Sequence, residues 1–228
     1  MPARRCKLFD LVAGAALLAC SAGVFADQPV SAAEDRLFLF DHLGNLPPNA
    51  VLRYAYSKTG SLEAPREGTV RLTVIPSPSG PGRQASVEFL TGADKLDLPV
   101  IDAATANPVI LFFLERDVRE MQRRTSGQAS YFRKRVRMAL ADAAQIRPVT
   151  FEFAGRSVGG EQITILPYQD DPLKSRFERL ADKTYTFILS DQVPGTLYQV
   201  RTVINAPGAA PGSAPLLEET VTLLGAEP

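Results

Sequence analysis

Along most of the chain, apolar and polar residues alternate over short stretches bounded by Gly, Pro, Asn and Ser. Val70, Leu72 and Val74 alternate with Thr69, Arg71 and Thr73. That period of two describes a strand with one buried and one wet face. The same pattern, enriched in β-branched and aromatic residues, predicts strands at 36–40, 51–58, 69–75, 85–91, 131–141, 149–154, 162–167, 184–189, 197–205 and 216–224. The turns between them are legible too. Pro76-Ser77-Pro78-Ser79-Gly80-Pro81-Gly82 cannot continue a strand, because proline removes ladder donors. Gly155-Arg156 suits a tight hairpin turn, with Gly159-Gly160 as a bulge in the returning strand. Pro194-Gly195 is a type II signal, and the Pro/Gly/Ala-rich stretch 206–215 reads as a hairpin loop.

One segment changes period. Asn107 is a suitable N-cap and Pro108 a suitable first helical residue, since its missing N–H would be unpaired there anyway. Residues 109–114 are apolar all round, which predicts a deeply buried start. Ile110, Leu114, Val118 and Met121 then form a stripe, while Glu115/Arg119 and Glu120/Arg124 are spaced four apart on the far side. Asp171-Pro172 repeats the cap-plus-proline signature and predicts a short helix to about Leu180.

The resulting fold class is mainly β (α+β): about ten antiparallel strands in a curved sheet or open barrel, with one amphipathic and one short helix. The apolar start of the long helix predicts that it packs on the concave side of the sheet or plugs the barrel. In architecture this arrangement resembles the open half-barrels that carry lipids and lipoproteins in the bacterial envelope.

Composition adds a compartment. Arg4, Arg5 and Lys7 precede an uncharged run, 11–19, and Val24-Phe25-Ala26 places small or medium residues at the −3 and −1 positions. That order matches an export signal cleaved after Ala26, the run being too short to span a bilayer. The expected organisation is a leader over 1–26 and a single β-rich domain over 27–228, periplasmic or secreted. Leu17-Leu18-Ala19-Cys20 offers a competing lipobox, with Cys20 acylated and the protein anchored in the outer membrane. Asp10, which shortens the apolar core, favours the first reading. Both cysteines, Cys6 and Cys20, lie within the leader. A mature chain would therefore carry no disulfide, thiol nucleophile or Cys-ligated metal. The 25 basic and 25 acidic residues balance, so nucleic-acid binding, which needs a basic excess, is not expected. No stretch of the mature chain has the length of a transmembrane span, and no cofactor is expected.

Candidate chemistry is sparse. The sequence holds no Gly-rich phosphate loop, His-Glu-x-x-His or Gly-x-Ser-x-Gly. His42 is the single histidine and reads as a turn residue before Pro47-Pro48. Asp170-Asp171 reads as a helix cap in preference to a cation site, and Glu218-Glu219 as two faces of one strand. The most distinctive stretch is 131–138. Read as a strand, it puts Tyr131, Arg133, Arg135 and Arg137 on one face. Those three guanidiniums are expected to be compensated by neighbouring carboxylates; failing that, they form an anion-binding stripe. Two function classes follow. The first is a non-catalytic envelope protein that binds or carries an apolar or amphipathic ligand, with Tyr131, Arg133, Arg135 and Arg137 as candidate ligand residues. The second is a structural protein docking an envelope partner through a sheet edge or the arginine face. An enzyme ranks below both.

Overall fold

The structure, a computed structural model, describes residues 29–91, 95–96, 98–210 and 212–227. The expected leader, the expected cleavage site after Ala26 and both cysteines lie outside the described residues.

Among the described residues, eight antiparallel strands form one open sheet: β1 (Ala50–Thr59), β2 (Arg66–Pro76), β3 (Arg83–Phe89), β4 (Gln145–Phe153), β5 (Arg156–Ile165), β6 (Thr184–Leu189), β7 (Leu197–Ile204) and β8 (Leu217–Glu227). Their order is β3-β2-β1-β8-β7-β6-β5-β4. The chain thus builds two meanders. The first ends at one edge, β3, and the second begins at the opposite edge, β4, and works back until β8 pairs with β1. Between the edges run two helices, α2 (Pro108–Thr125) and α3 (Ala129–Asp142). They are preceded in the chain by α1 (Ala32–Glu34) and a π-helical turn, Asp35–Leu39.

The alternation seen in the sequence sets which face the helices cover. Val70, Leu72 and Val74 are buried, whereas Thr69 and Arg71 are exposed. Leu52, Tyr54 and Tyr56 continue the buried face on β1, Val221 on β8, Val200 on β7, Tyr185 and Phe187 on β6 and Ile163 on β5. The helices close that face, and the opposite face stays polar, with Arg53, Arg71, Thr73, Thr186 and Thr222.

Two expected strands are helical, which reduces ten to eight. The residues at 36–40 form the π turn and its end. A capping box precedes it: Ser31 Oγ accepts from the Glu34 N–H at 3.1 Å, and the Glu34 carboxylate accepts from the Ser31 N–H at 3.1 Å. The residues at 131–141 belong to α3, where Phe132, Val136, Ala139 and Leu140 form a buried stripe of helical period. The expected short helix after Asp171 is instead two 3₁₀ turns, Lys174–Arg176 and Glu178–Asp182.

Turn chemistry is mostly as read. Asn107 caps α2 by accepting from the Val109 N–H at 3.1 Å, with Pro108 first in the helix. The β4–β5 hairpin turns on Ala154 and Gly155, both at positive φ. The Thr196 N–H returns to the Val193 carbonyl at 3.2 Å around Pro194-Gly195. Gly159-Gly160 forms no bulge, since both pair in register with Thr150 and Val149. Glycine at 160 answers a close approach instead, because a Cβ there would lie 2.4 Å from the Leu189 carbonyl oxygen. Pro148 is tolerated in β4 because this strand is a sheet edge.

Candidate functional site

Helix α2 has two working faces. Its inner side meets the sheet through Val109, Ile110, Phe113 and Met121, all at most 1% exposed. It also carries polar groups inward. The Asn107 amide donates to Tyr54 Oη and to the Gly195 carbonyl, both at 2.9 Å. Asp117, 1% exposed, accepts from Tyr185 Oη at 2.5 Å and pairs with buried Lys183. Burial first, then the Asp117 carboxylate, pushes the Tyr185 hydroxyl well above its ordinary range. Further along, Arg116 donates to Tyr56 Oη at 2.8 Å and pairs with Glu219, while Lys58 faces Glu63, Glu120 and Glu219. Burial pulls the Lys58 ammonium below its usual value. Every one of these charges has an opposite partner, which is the condition for keeping ions in an interior.

The outer side of α2 is different. Leu111, Leu114 and Val118 face Val136 and Leu140 of α3 and Phe38 of the π turn across a cavity of about 310 Å³. The sequence expectation of complete burial fails at Leu111, which is 51% exposed. The expected 110/114/118/121 stripe divides accordingly, with 110 and 121 on the sheet and 114 and 118 in the groove. Three charged residues join the lining: Glu115, Arg133 and Arg137. Glu115 is held by Arg133 through two contacts, 2.8 and 2.6 Å, and by Arg119 at 3.3 Å. Those bonds, Arg133 first, hold the Glu115 carboxyl below the usual range. Arg137 is exposed and has no ion pair or hydrogen bond among the described residues. The one carboxylate of the groove is therefore taken up by Arg133 and Arg119, and Arg137 is left without a counter-ion among the described residues.

The single arginine stripe expected of a strand is corrected by the helix. Residues four apart share a helical side, so 133 and 137 face the groove while 131 and 135 turn toward the segment before the 3₁₀ turns. There Asp171 accepts from Tyr131 Oη at 2.6 Å, pairs with Arg135 at 2.8 Å and caps the Leu173 N–H at 2.7 Å. Asp171 does not N-cap a helix as expected, since Leu173 holds that position before the first 3₁₀ turn, but it closes a local turn onto the Leu173 N–H and supplies the compensation expected for Arg135. The four candidate residues consequently fall in two groups: Arg133 and Arg137 at the cavity, and Tyr131 and Arg135 in a structural contact. Glu218 and Glu219 lie on opposite sheet faces as expected, Glu219 buried against Arg116 and Glu218 on Arg201 at 2.6 Å.

His42 lies in the bend that runs into the turn at 44–45, as read, and is fully buried there. The Asn107 N–H donates to its Nδ1 at 2.9 Å, so its Nε2–H donates to the Arg36 carbonyl at 2.7 Å. It fastens the π turn, and with it Phe38, to the start of α2. Burial lowers its pKa below the ordinary value, outweighing the opposing pull of the Arg36 carbonyl and of Asp191 and Asp41.

The sequence matches no protein-family model and no curated relative. Among solved structures it is similar to the crystal structure of the Mycobacterium tuberculosis lipoprotein LppX, at 12% identity over 77% of this chain and 85% of that one, with a TM-score of 0.31. At that distance the likeness assigns this chain no function. No helix among the described residues is long and apolar enough to cross a membrane. The class that the fold and groove define is an open antiparallel sheet with a helical layer over one face, bearing an apolar cleft bordered by arginines.

Proposed function

We propose that this is a non-catalytic binding or carrier protein for an anionic amphiphile, exported to the cell envelope. The tail lies in the groove between α2, α3 and Phe38, and the head meets Arg137 with Arg133 beside it. One observation carries the reading: an apolar cavity of about 310 Å³ is bordered by two guanidiniums, Arg133 and Arg137, and a single carboxylate, Glu115, which is already paired with Arg133 and Arg119. Apolar lining favours a tail by roughly 25 cal/mol per Å² removed from water, and an uncompensated guanidinium favours a carboxylate or phosphate head. Such a site differs from the ligand-against-sheet arrangement implied by an open barrel, because the helices fill that face.

The test is titration of a fluorescent fatty acid into delipidated protein, beside a neutral amphiphile of equal chain length. Saturable micromolar binding of the acid, weakened by salt and by Arg137→Gln, supports the reading. No saturation across several chain lengths would remove it. Export rests on the 1–26 pattern, and N-terminal sequencing of the mature protein is expected to begin at Asp27. An acylated Cys20 would instead tether the carrier to a membrane. The alternative of a docking protein is less favoured by the sheet edges. Residues 96 and 101 bridge to β3, and Pro148 interrupts the donors of β4.

A further inference from the structure

The described arginines sort sharply by company. Three of them, Arg137, Arg176 and Arg179, have neither an ion pair nor a hydrogen bond to another described residue. All three line cavities. Arg137 belongs to the groove, but Arg176 and Arg179 enter a separate cleft of about 440 Å³ that shares no lining residue with it.

We infer that this second cleft, between the α2–α3 turn and the two 3₁₀ turns, binds a small phosphate monoester with an apolar body. Its lining includes Leu62, Arg124, Phe177, Glu178 and Leu180 beside the two free arginines. Arg124 is already engaged, by Glu120 at 2.5 Å and by Glu63. Glu178 has no ion pair or hydrogen bond among the described residues and offsets one guanidinium, so the cleft keeps a net positive charge. Two bare guanidiniums in one cavity repel each other, and a tetrahedral oxyanion relieves that repulsion while accepting planar N–H forks. Phe177, 5% exposed, and Leu62 and Leu180 supply an apolar wall for the ester group. A further cavity of about 330 Å³ adjoins this one, shares Thr125, Arg176 and Phe177 with it, and gives the ligand room beyond the anion. The walls are also unusual in backbone: Ser126 and Glu178, neither a glycine, hold φ of 55° and 49°. Nothing in the inference depends on the groove binding an amphiphile.

Phenyl phosphate is the probe, titrated into the full chain by calorimetry at low ionic strength, beside inorganic phosphate, inorganic sulfate and neutral benzyl alcohol. The expected order is phenyl phosphate tightest, the inorganic anions weaker and benzyl alcohol without saturation. The double variant Arg176→Gln/Arg179→Gln should lose roughly tenfold or more in affinity, and Arg137→Gln should lose none. A fatty acid should not displace the probe. Because the double variant could disturb the 3₁₀ turns, NMR of the unmodified protein gives an independent reading: the Nε–H signals of Arg176 and Arg179 should shift on titration. Absence of saturation by phenyl phosphate, or saturation that leaves both arginine signals in place, would overturn the assignment. Saturation by inorganic phosphate and sulfate equal to that of phenyl phosphate would overturn the apolar body.

Discussion

The two sides of α2 obey different rules. On the inner side, Asp117, Arg116 and Glu120 enter the interior, and each meets an oppositely charged or hydroxyl partner from β1, β6, β8 or Lys183. On the outer side, Leu111 and Leu114 stand in an open groove whose arginines outnumber carboxylates. A helix that needed only to cover the sheet would show charge compensation outside and apolar packing inside. This one adds buried ions to the apolar packing inside, and exposed apolar surface to the ion pairs outside. The inner network spends its chemistry on fixing α2, whereas the groove leaves Leu111 exposed and Arg137 without an ion pair or hydrogen bond among the described residues.

The sharpest way to break the inner side is to remove one ion of the buried pair. Asp117→Ala leaves Lys183 buried and uncompensated and should cost about 3–5 kcal/mol. The pair replaced together by Leu and Met should recover most of that loss, as read from denaturant unfolding. A single variant as stable as the parent would mean that water reaches the site.

Next in size is Asn107→Ala. It removes a helix cap and two buried hydrogen bonds to Tyr54 and Gly195, an expected loss of about 2 kcal/mol. The three arginines of α3 should then separate in order. Arg135→Gln leaves buried Asp171 short of its cation and should cost about 1–3 kcal/mol. Arg133→Gln removes an exposed pair and should cost at most about 1 kcal/mol. Arg137→Gln should change the melting temperature least of all, while lowering affinity for an anionic amphiphile. If 137 proves more costly to stability than 135, the division of α3 into a structural and a binding side is wrong.

The smallest expected effect is set by pH. His42 is depressed in the folded state, so between that value and the unfolded value of about 6.5 the unfolded chain binds more protons. Its contribution is fully present above pH ~6.5 and is lost as pH falls below that through the folded pKa. Protonation at Nδ1 would also oppose the Asn107 N–H. Ring NMR across pH should therefore show a midpoint lower than that of a free histidine, and a raised midpoint would contradict the buried neutral ring.

Much of this architecture could be read from residues alone, because an edge-to-edge antiparallel sheet repeats its period of two. The cap at Asn107-Pro108 and the strands from β6 to β8 follow directly. What failed was α3. Its Arg133, Arg135 and Arg137 alternate with Phe132, Val136 and Met138 in a way that mimics a strand. Yet Phe132, Val136, Ala139 and Leu140 also fit a helical stripe, and Arg, Lys, Met, Ala and Leu are strong helix formers with a single valine among them. The same signal existed at 31–34, where Ser31-Ala-Ala-Glu34 is a capping box ahead of an ambiguous apolar run. The groove was illegible for that reason. It exists only when 131–141 is a helix lying beside α2, so no reading of the stretch as a strand could bring Arg137 to Leu111. His42 differs, since its neighbours read correctly as a turn and only the fold brings Asn107 to its ring.

The central claim, that the groove rather than the sheet holds an amphiphile, is tested most directly with a spin-labelled fatty acid and methyl NMR. The claim predicts selective broadening of Leu111, Leu114, Val118, Val136 and Leu140, with Leu52 and Val221 on the sheet unaffected and the effect removed by Leu111→Glu at unchanged melting temperature. Broadening centred on the sheet, or none at saturating label, would contradict it.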